Sequence, residues 1–177
     1  MLNRRTFLAM AALAALAACA EPLLDSQVAG NLQVVDVSVD VAQLEKVRGR
    51  QNSIAPSRVQ SDVRNTLLAY LKEGSPGTRA VDADVVITSV NLVSPGQSLV
   101  VGGTSNIQGT LTVTDATTGE VILETTEVAG AAEGGYPLGG LIGAAVKASV
   151  TPEDDYKSTV VGFSKSVRKS LFGEENK

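Results

Sequence analysis

Residues 107–128 read IQGTLTVTDATTGEVILETTEV. Ile107, Gly109, Leu111 and Val113 alternate with polar residues, the loop DATTG (115–119) interrupts the run, and Val121 to Val128 carries the returning run. In an extended chain successive side chains point to opposite faces, so period two marks a strand with one face against a core. Two such runs joined by a short polar loop containing glycine predict a β-hairpin.

The segments on either side of the hairpin supply the rest of the sheet and its cover. Upstream, ADVVITSVNLV (83–93) is a strand whose richness in valine suits a central position. The turn signal Ser94-Pro95-Gly96-Gln97 follows it, and 98–103 is a short strand or loop. In LQVVDVSVDV (32–41), Val35, Val37, Val39 and Val41 alternate with Asp36, Ser38 and Asp40, the pattern of a half-buried strand. Between these strands Val59, Val63, Leu67 and Leu71 recur at helical spacing with Tyr70 on the same side; Pro56 suits the entrance and Gly74 the exit.

Downstream, Thr151-Pro152-Glu153-Asp154 combines a capping hydroxyl, a proline at the first helical position and acids near the positive end of the helix dipole. Tyr156, Val160, Phe163, Val167 and Leu171 form one apolar stripe, and Gly173 stops it. Lys165, Arg168 and Lys169 complement the opposite pole. The order strand, helix, strand, hairpin, helix predicts an α+β fold. It is a single two-layer α/β sandwich over residues 32–173, with both helices on one face of a mostly antiparallel sheet. Residues 174–177 are a tail, and no repeat or second domain is visible.

Composition removes several classes of function. Histidine is absent, and with it the commonest metal ligand and the commonest general base near neutral pH. A single cysteine permits neither a disulfide framework nor a zinc site of the usual nitrogen and sulfur kind. No cofactor motif is present, so neither a cofactor nor a metal is expected. The chain has no tryptophan and carries a net charge of −4, which disfavours nucleic acid as a partner.

The one cysteine lies near the start, at the end of RRTFLAMAALAALAAC (4–19). Arg4 and Arg5 form a positive head, Phe7 to Ala18 is uncharged and apolar, and Ala17 and Ala18 lead to Cys19. These are the three parts of a secretory signal peptide, here residues 1–18. The apolar run falls short of the roughly 20 residues that a membrane-spanning helix needs. Leu16-Ala17-Ala18-Cys19 resembles the bacterial lipobox. That resemblance implies cleavage between Ala18 and Cys19, a diacylglyceryl group on the Cys19 thiol and acylation of the new amino terminus. Two chains would hold the protein firmly, at about 0.8 kcal/mol per buried methylene.

Cleavage there removes Arg4 and Arg5 and no acid, moving the net charge from −4 to −6. Residues 19–31 are expected to be a lipidated tether, whose stretch from Ala20 to Gly30 reaches at most about 40 Å. Asn3-Arg4-Arg5-Thr6-Phe7-Leu8 resembles the twin-arginine export motif, although paired arginines also occur in general secretory signals. Ala20 stands where an aspartate would resemble the inner-membrane retention signal, so the expected site is the outer membrane, facing the periplasm.

Within the body, GAAEGGYPLGGLIGAAVKA (130–148) is the most unusual segment. Gly135, Gly139 and Gly143 stand four apart, with Gly140, Leu141 and Ile142 among them. The segment fits a loop and short helix packed on the core, a surface for a partner or a second copy, or shallow membrane contact. Gly135, Gly139, Gly140, Leu141 and Gly143 are the candidate interface.

Two catalytic patterns have plainer readings. Ser166-Val167-Arg168-Lys169 matches S-x-x-K, but Val167 belongs to the buried stripe and the companion motifs are missing. Asp82 with Asp84 and Asp154 with Asp155 are the notable carboxylate pairs, explained by a strand entrance and a helix dipole respectively.

The hairpin VTDATTGEVILET and the glycine-rich run before the last helix give residues 32–173 a resemblance to the small α/β domain of bacterial envelope lipoproteins. That resemblance implies protein binding rather than catalysis. The expected function is non-enzymatic: a lipid-anchored envelope component that binds another envelope protein or assembles with itself. The alternatives are a carboxylate-based hydrolase and a small-ligand-binding lipoprotein.

Overall fold

A computed structural model describes residues 22–44, 48–49, 54–94, 103–133 and 148–173. The elements run α1 (Ser26–Asn31), β1 (Leu32–Asp40), β2 (Arg48–Gly49), α2 (Pro56–Gly74), β3 (Arg79–Leu92), β4 (Asn106–Asp115), β5 (Val121–Ala131) and α3 (Pro152–Phe172). The sheet has the order β1-β3-β4-β5, with the short β2 paired to the far end of β3. β1 and β3 are parallel and joined through α2, whereas β3-β4 and β4-β5 are antiparallel. The expected α+β sandwich is therefore the observed one, and the valine-rich third strand is internal.

Each helix buries the stripe that its sequence spacing defines. Val59, Val63, Leu67 and Leu71 of α2 are fully buried, as are Tyr156, Phe163 and Val167 of α3. The two helices pack side by side, α2 over β1 and α3 over β5. The other face of the sheet has no helix against it among the described residues, which explains its covering of hydroxyls and acids. Ser38 donates to Asp84 across β1 and β3, and the Thr112 and Thr125 hydroxyls pair at 2.9 Å across β4 and β5.

The hairpin turn uses the residues its geometry needs. The Asp115 carboxylate accepts from the Thr117 and Thr118 amides, both at 2.9 Å, and Gly119 supplies the positive φ of 73° that closes the loop. At the other end of β5 the helix comes down onto the strand. A Cβ on Gly162 would overlap the Ala131 carbonyl, and one on Gly130 would overlap the Phe163 backbone. Both positions are small because two backbones touch there.

The structure departs from the sequence reading in two places. In β1 the buried valines are Val34, Val37 and Val39, while Val35 is 39% exposed. The ladder to β3 slips between Val34 and Asp36, so one extra residue shifts the inward phase. The second departure concerns the expected tether. Its part from residue 22 onward is packed: Leu24 and Ala29 are buried, and α1 is capped by the Asp25 carboxylate accepting from the Gln27 amide. The Leu23 amide donates to the Ser170 carbonyl of α3 at 2.7 Å, which seats this stretch beside that helix.

Candidate functional site

The sandwich has two ends: β1 and β3 run from the first to the second, and α3 returns from the second to the first. The chain enters at the first end. Pro22 lies beside Gly173 at the close of α3, and Leu23 is held by Ser170. The same end carries α1, the residue 75–78 connection and the β4-β5 turn. Ser75 accepts from the Val34 amide there, and Gly77 and Thr78 donate to the carbonyls of Leu32 and Asn31.

Arg79 ties this end together. Its Nε donates to Asp115 at 2.8 Å and its second amino group to Glu120 at 2.6 Å. The guanidinium, first, and then the Thr118 and Thr117 amides hold the Asp115 carboxyl well below the ordinary carboxylate range. The two acids in turn raise the Arg79 pKa.

The opposite end is closed by hydroxyls. Ser105 donates to Asp155 at 2.7 Å and accepts from the Val93 amide at 3.0 Å, while its carbonyl accepts from Ala132. Thr159 donates to the Asp155 carbonyl one turn along α3. Ser105, Asp155 and Thr159 are all buried. Thr151 caps α3 by accepting from the Asp154 amide, as its sequence position implies. Outside this cluster Arg58 of α2 donates to Glu153 of α3 and lowers its pKa. Arg58 also lies 5.2 Å from the centre of the buried Tyr156 ring.

Ser105 and the inward role of Asp155 escaped the sequence reading. Asp155 was expected to serve only the helix dipole, yet it faces inward next to the apolar stripe. Thr159 and Gly162, small residues at i+4 and i+7 from Asp155, are the signal that α3 buries a face wider than one stripe.

The residues singled out from sequence fall into two groups. Arg4, Arg5, Ala18 and Cys19 lie outside the described residues, as do Gly135, Gly139, Gly140, Leu141 and Gly143. The tail and residues 98–102 lie outside them as well. The residues that flank the glycine-rich segment are described: the Glu133 carbonyl accepts from Ser158, and its carboxylate pairs with Lys165. Glu133, after β5, therefore lies at the end remote from Pro22.

The acids singled out are engaged by their neighbours, and Asp82 lies opposite Asp36, which pairs with Arg64. Asp84 serves Ser38 on the open sheet face, Asp154 pairs with Thr151 and Asp155 serves Ser105. A cavity of about 370 Å³ on the open face is lined by Thr88, Gln108, Thr110 and one acid, Glu127. Another of about 340 Å³ between the helices is lined by Arg58, Asn65, Tyr156 and one acid, Asp62. Ser166 is half-buried and Lys169 exposed, with the buried Val167 between them. Among the described residues no group of three or more metal-ligating side chains forms, and no helix is long and apolar enough to cross a membrane.

No family model matches this chain, and no curated protein matches it. Three solved structures are distantly similar. A Xanthomonas campestris protein of the DUF330 family has a TM-score of 0.38 and 11% identity, covering 85% of this chain and 82% of that one. A PelC dodecamer from Paraburkholderia phytofirmans has a TM-score of 0.33 and 12% identity, covering 78% and 87%. A candidate lipoprotein from Caulobacter crescentus has a TM-score of 0.30 and 12% identity, covering 81% and 89%. At these values no residue role passes from them to this chain.

Proposed function

We propose that this protein is a non-enzymatic lipoprotein of the bacterial cell envelope, anchored through Cys19 in the outer membrane and facing the periplasm. Its folded body binds another envelope protein or assembles with copies of itself. The observation that carries the reading is the lipobox-like Leu16-Ala17-Ala18-Cys19 at the end of a signal-like apolar run. The single acid in each of the two cavities supports a binding role over a hydrolase, because hydrolysis by two acids needs them to converge on one pocket.

The candidate contact surface is the segment holding Gly135, Gly139, Gly140, Leu141 and Gly143. The experiment is crosslinking in intact cells, with identification of the captured protein, for the parent chain and for a variant with Gly139→Phe and Gly143→Phe. Loss of the crosslinked complex with an unchanged melting temperature supports this surface. Complexes retained at parental yield remove it.

A further inference from the structure

We infer that the end of the sandwich carrying α1 and the β4-β5 turn rests on the bilayer interface. This inference builds on the lipid anchor proposed at Cys19 and adds an orientation and a contact surface. The number of residues between Cys19 and the packed chain decides it. Because the chain is packed from Leu23 onward, three residue steps separate Cys19 from Pro22. Fully extended they span about 10 Å at roughly 3.3–3.6 Å each. The headgroup layer takes up about 5–8 Å on each side of the roughly 30 Å hydrocarbon core. A lipidated Cys19 thus leaves the body almost no clearance, and the end beside Pro22 meets the headgroups.

The surface at this end suits that contact. The large apolar residues exposed among those described are Val28, Val35 and Val121. Val28 belongs to α1, Val121 opens β5 after the turn, and Val35 sits at the β1 bulge. β1 and β3 pair Val34 with Val81, and β3 and β4 pair Val81 with Asp115, so Val35 is level with that turn. The turn itself, Ala116-Thr117-Thr118-Gly119, is uncharged, and the acids that flank it, Asp115 and Glu120, are both paired with Arg79. Arg79 thus offsets one of the two acids beside the turn. Interfacial contact of this kind needs only shallow burial of apolar side chains.

The absence of tryptophan provides the test. Single-tryptophan variants Val28→Trp and Val121→Trp, with Gln43→Trp at the opposite end as reference, are purified from membranes as the full mature chain. They are reconstituted into phosphatidylcholine vesicles with and without brominated acyl chains. Flotation and the intact mass report whether Cys19 is lipidated and the protein is anchored.

The expected result is quenching by bromolipid and a blue shift at positions 28 and 121, with neither at 43. A glycine-serine insertion between Ala20 and Glu21 should reduce that quenching while the protein still floats. Anchored protein in which positions 28 and 121 are no more quenched than position 43 overturns the orientation and leaves the anchor standing. A blue shift without quenching also overturns it, because a protein partner then covers this end. An unmodified sulfur at position 19 overturns the anchor and the orientation together.

Discussion

Two buried or nearly buried aspartates sit at the two ends of this sandwich and do different work. Asp115, where the chain enters, gathers a guanidinium and two turn amides, so charge and backbone together fix the hairpin turn. Asp155, at the far end, holds the Ser105 hydroxyl, which in turn holds the Val93 amide. The first arrangement fastens a turn to the start of β3. The second fastens the start of β4 and the end of β3 to the head of α3. One end is locked where the described chain begins; the other joins two strand ends to the head of a helix.

The largest effect expected from disturbing this contrast lies at the entry end. Leu24→Ala should lower stability by about 2–3 kcal/mol, near the lower end of the range for truncating a buried leucine. Denaturant unfolding would measure it. A change within experimental error would return residues 22–31 to the status of a loose tether and lengthen the anchor.

At the far end, Asp155→Ala removes the acceptor for a fully buried hydroxyl and should cost about 1–3 kcal/mol. In hydrogen exchange the Val93 amide should lose protection more than the amides of the 115–120 turn. Equal loss at both ends would mean that the two closures are not independent.

The smallest effect is one of pH, and it belongs mainly to the entry end. An unfolded aspartate titrates near 3.9, and Asp115 in the folded chain titrates below that. As pH falls through that range the unfolded chain takes up the proton first, so folding stability is complete above about pH 5 and declines toward lower pH. Asp115→Asn should flatten this acid slope. It should not abolish it, because Arg58 lowers the Glu153 pKa as well. An unchanged slope in thermal melts from pH 6 to pH 3 would contradict the assignment.

These particulars show why much of the fold was legible in the sequence and some was not. β4 and α3 announce themselves because each keeps one period over its whole length and is followed by its own stop, Gly119 for the turn and Gly173 for the helix. β5 instead changes phase between Leu123 and Val128, where its ladder to β4 slips. The phase of β1 was misread because Val34 and Val35 are chemically equivalent; only the ladder to β3 chooses between them. α1 has six residues, too few for a period to emerge, although its cap Asp25 was in plain view. The Ser105–Asp155 link joins positions 50 apart, a distance that no local pattern records. The lipobox-like motif is a linear pattern near the amino terminus, which is why Cys19 could be singled out without any knowledge of the fold.

The central claim is that a sulfur three residues ahead of Pro22 holds this body against a membrane. The intact mass of the product recovered from native membranes tests it most directly. The expected species begins at residue 19 and carries a diacylglyceryl thioether with an acylated amino terminus. A free thiol at that position, or a chain that retains residues 1–18, would contradict it.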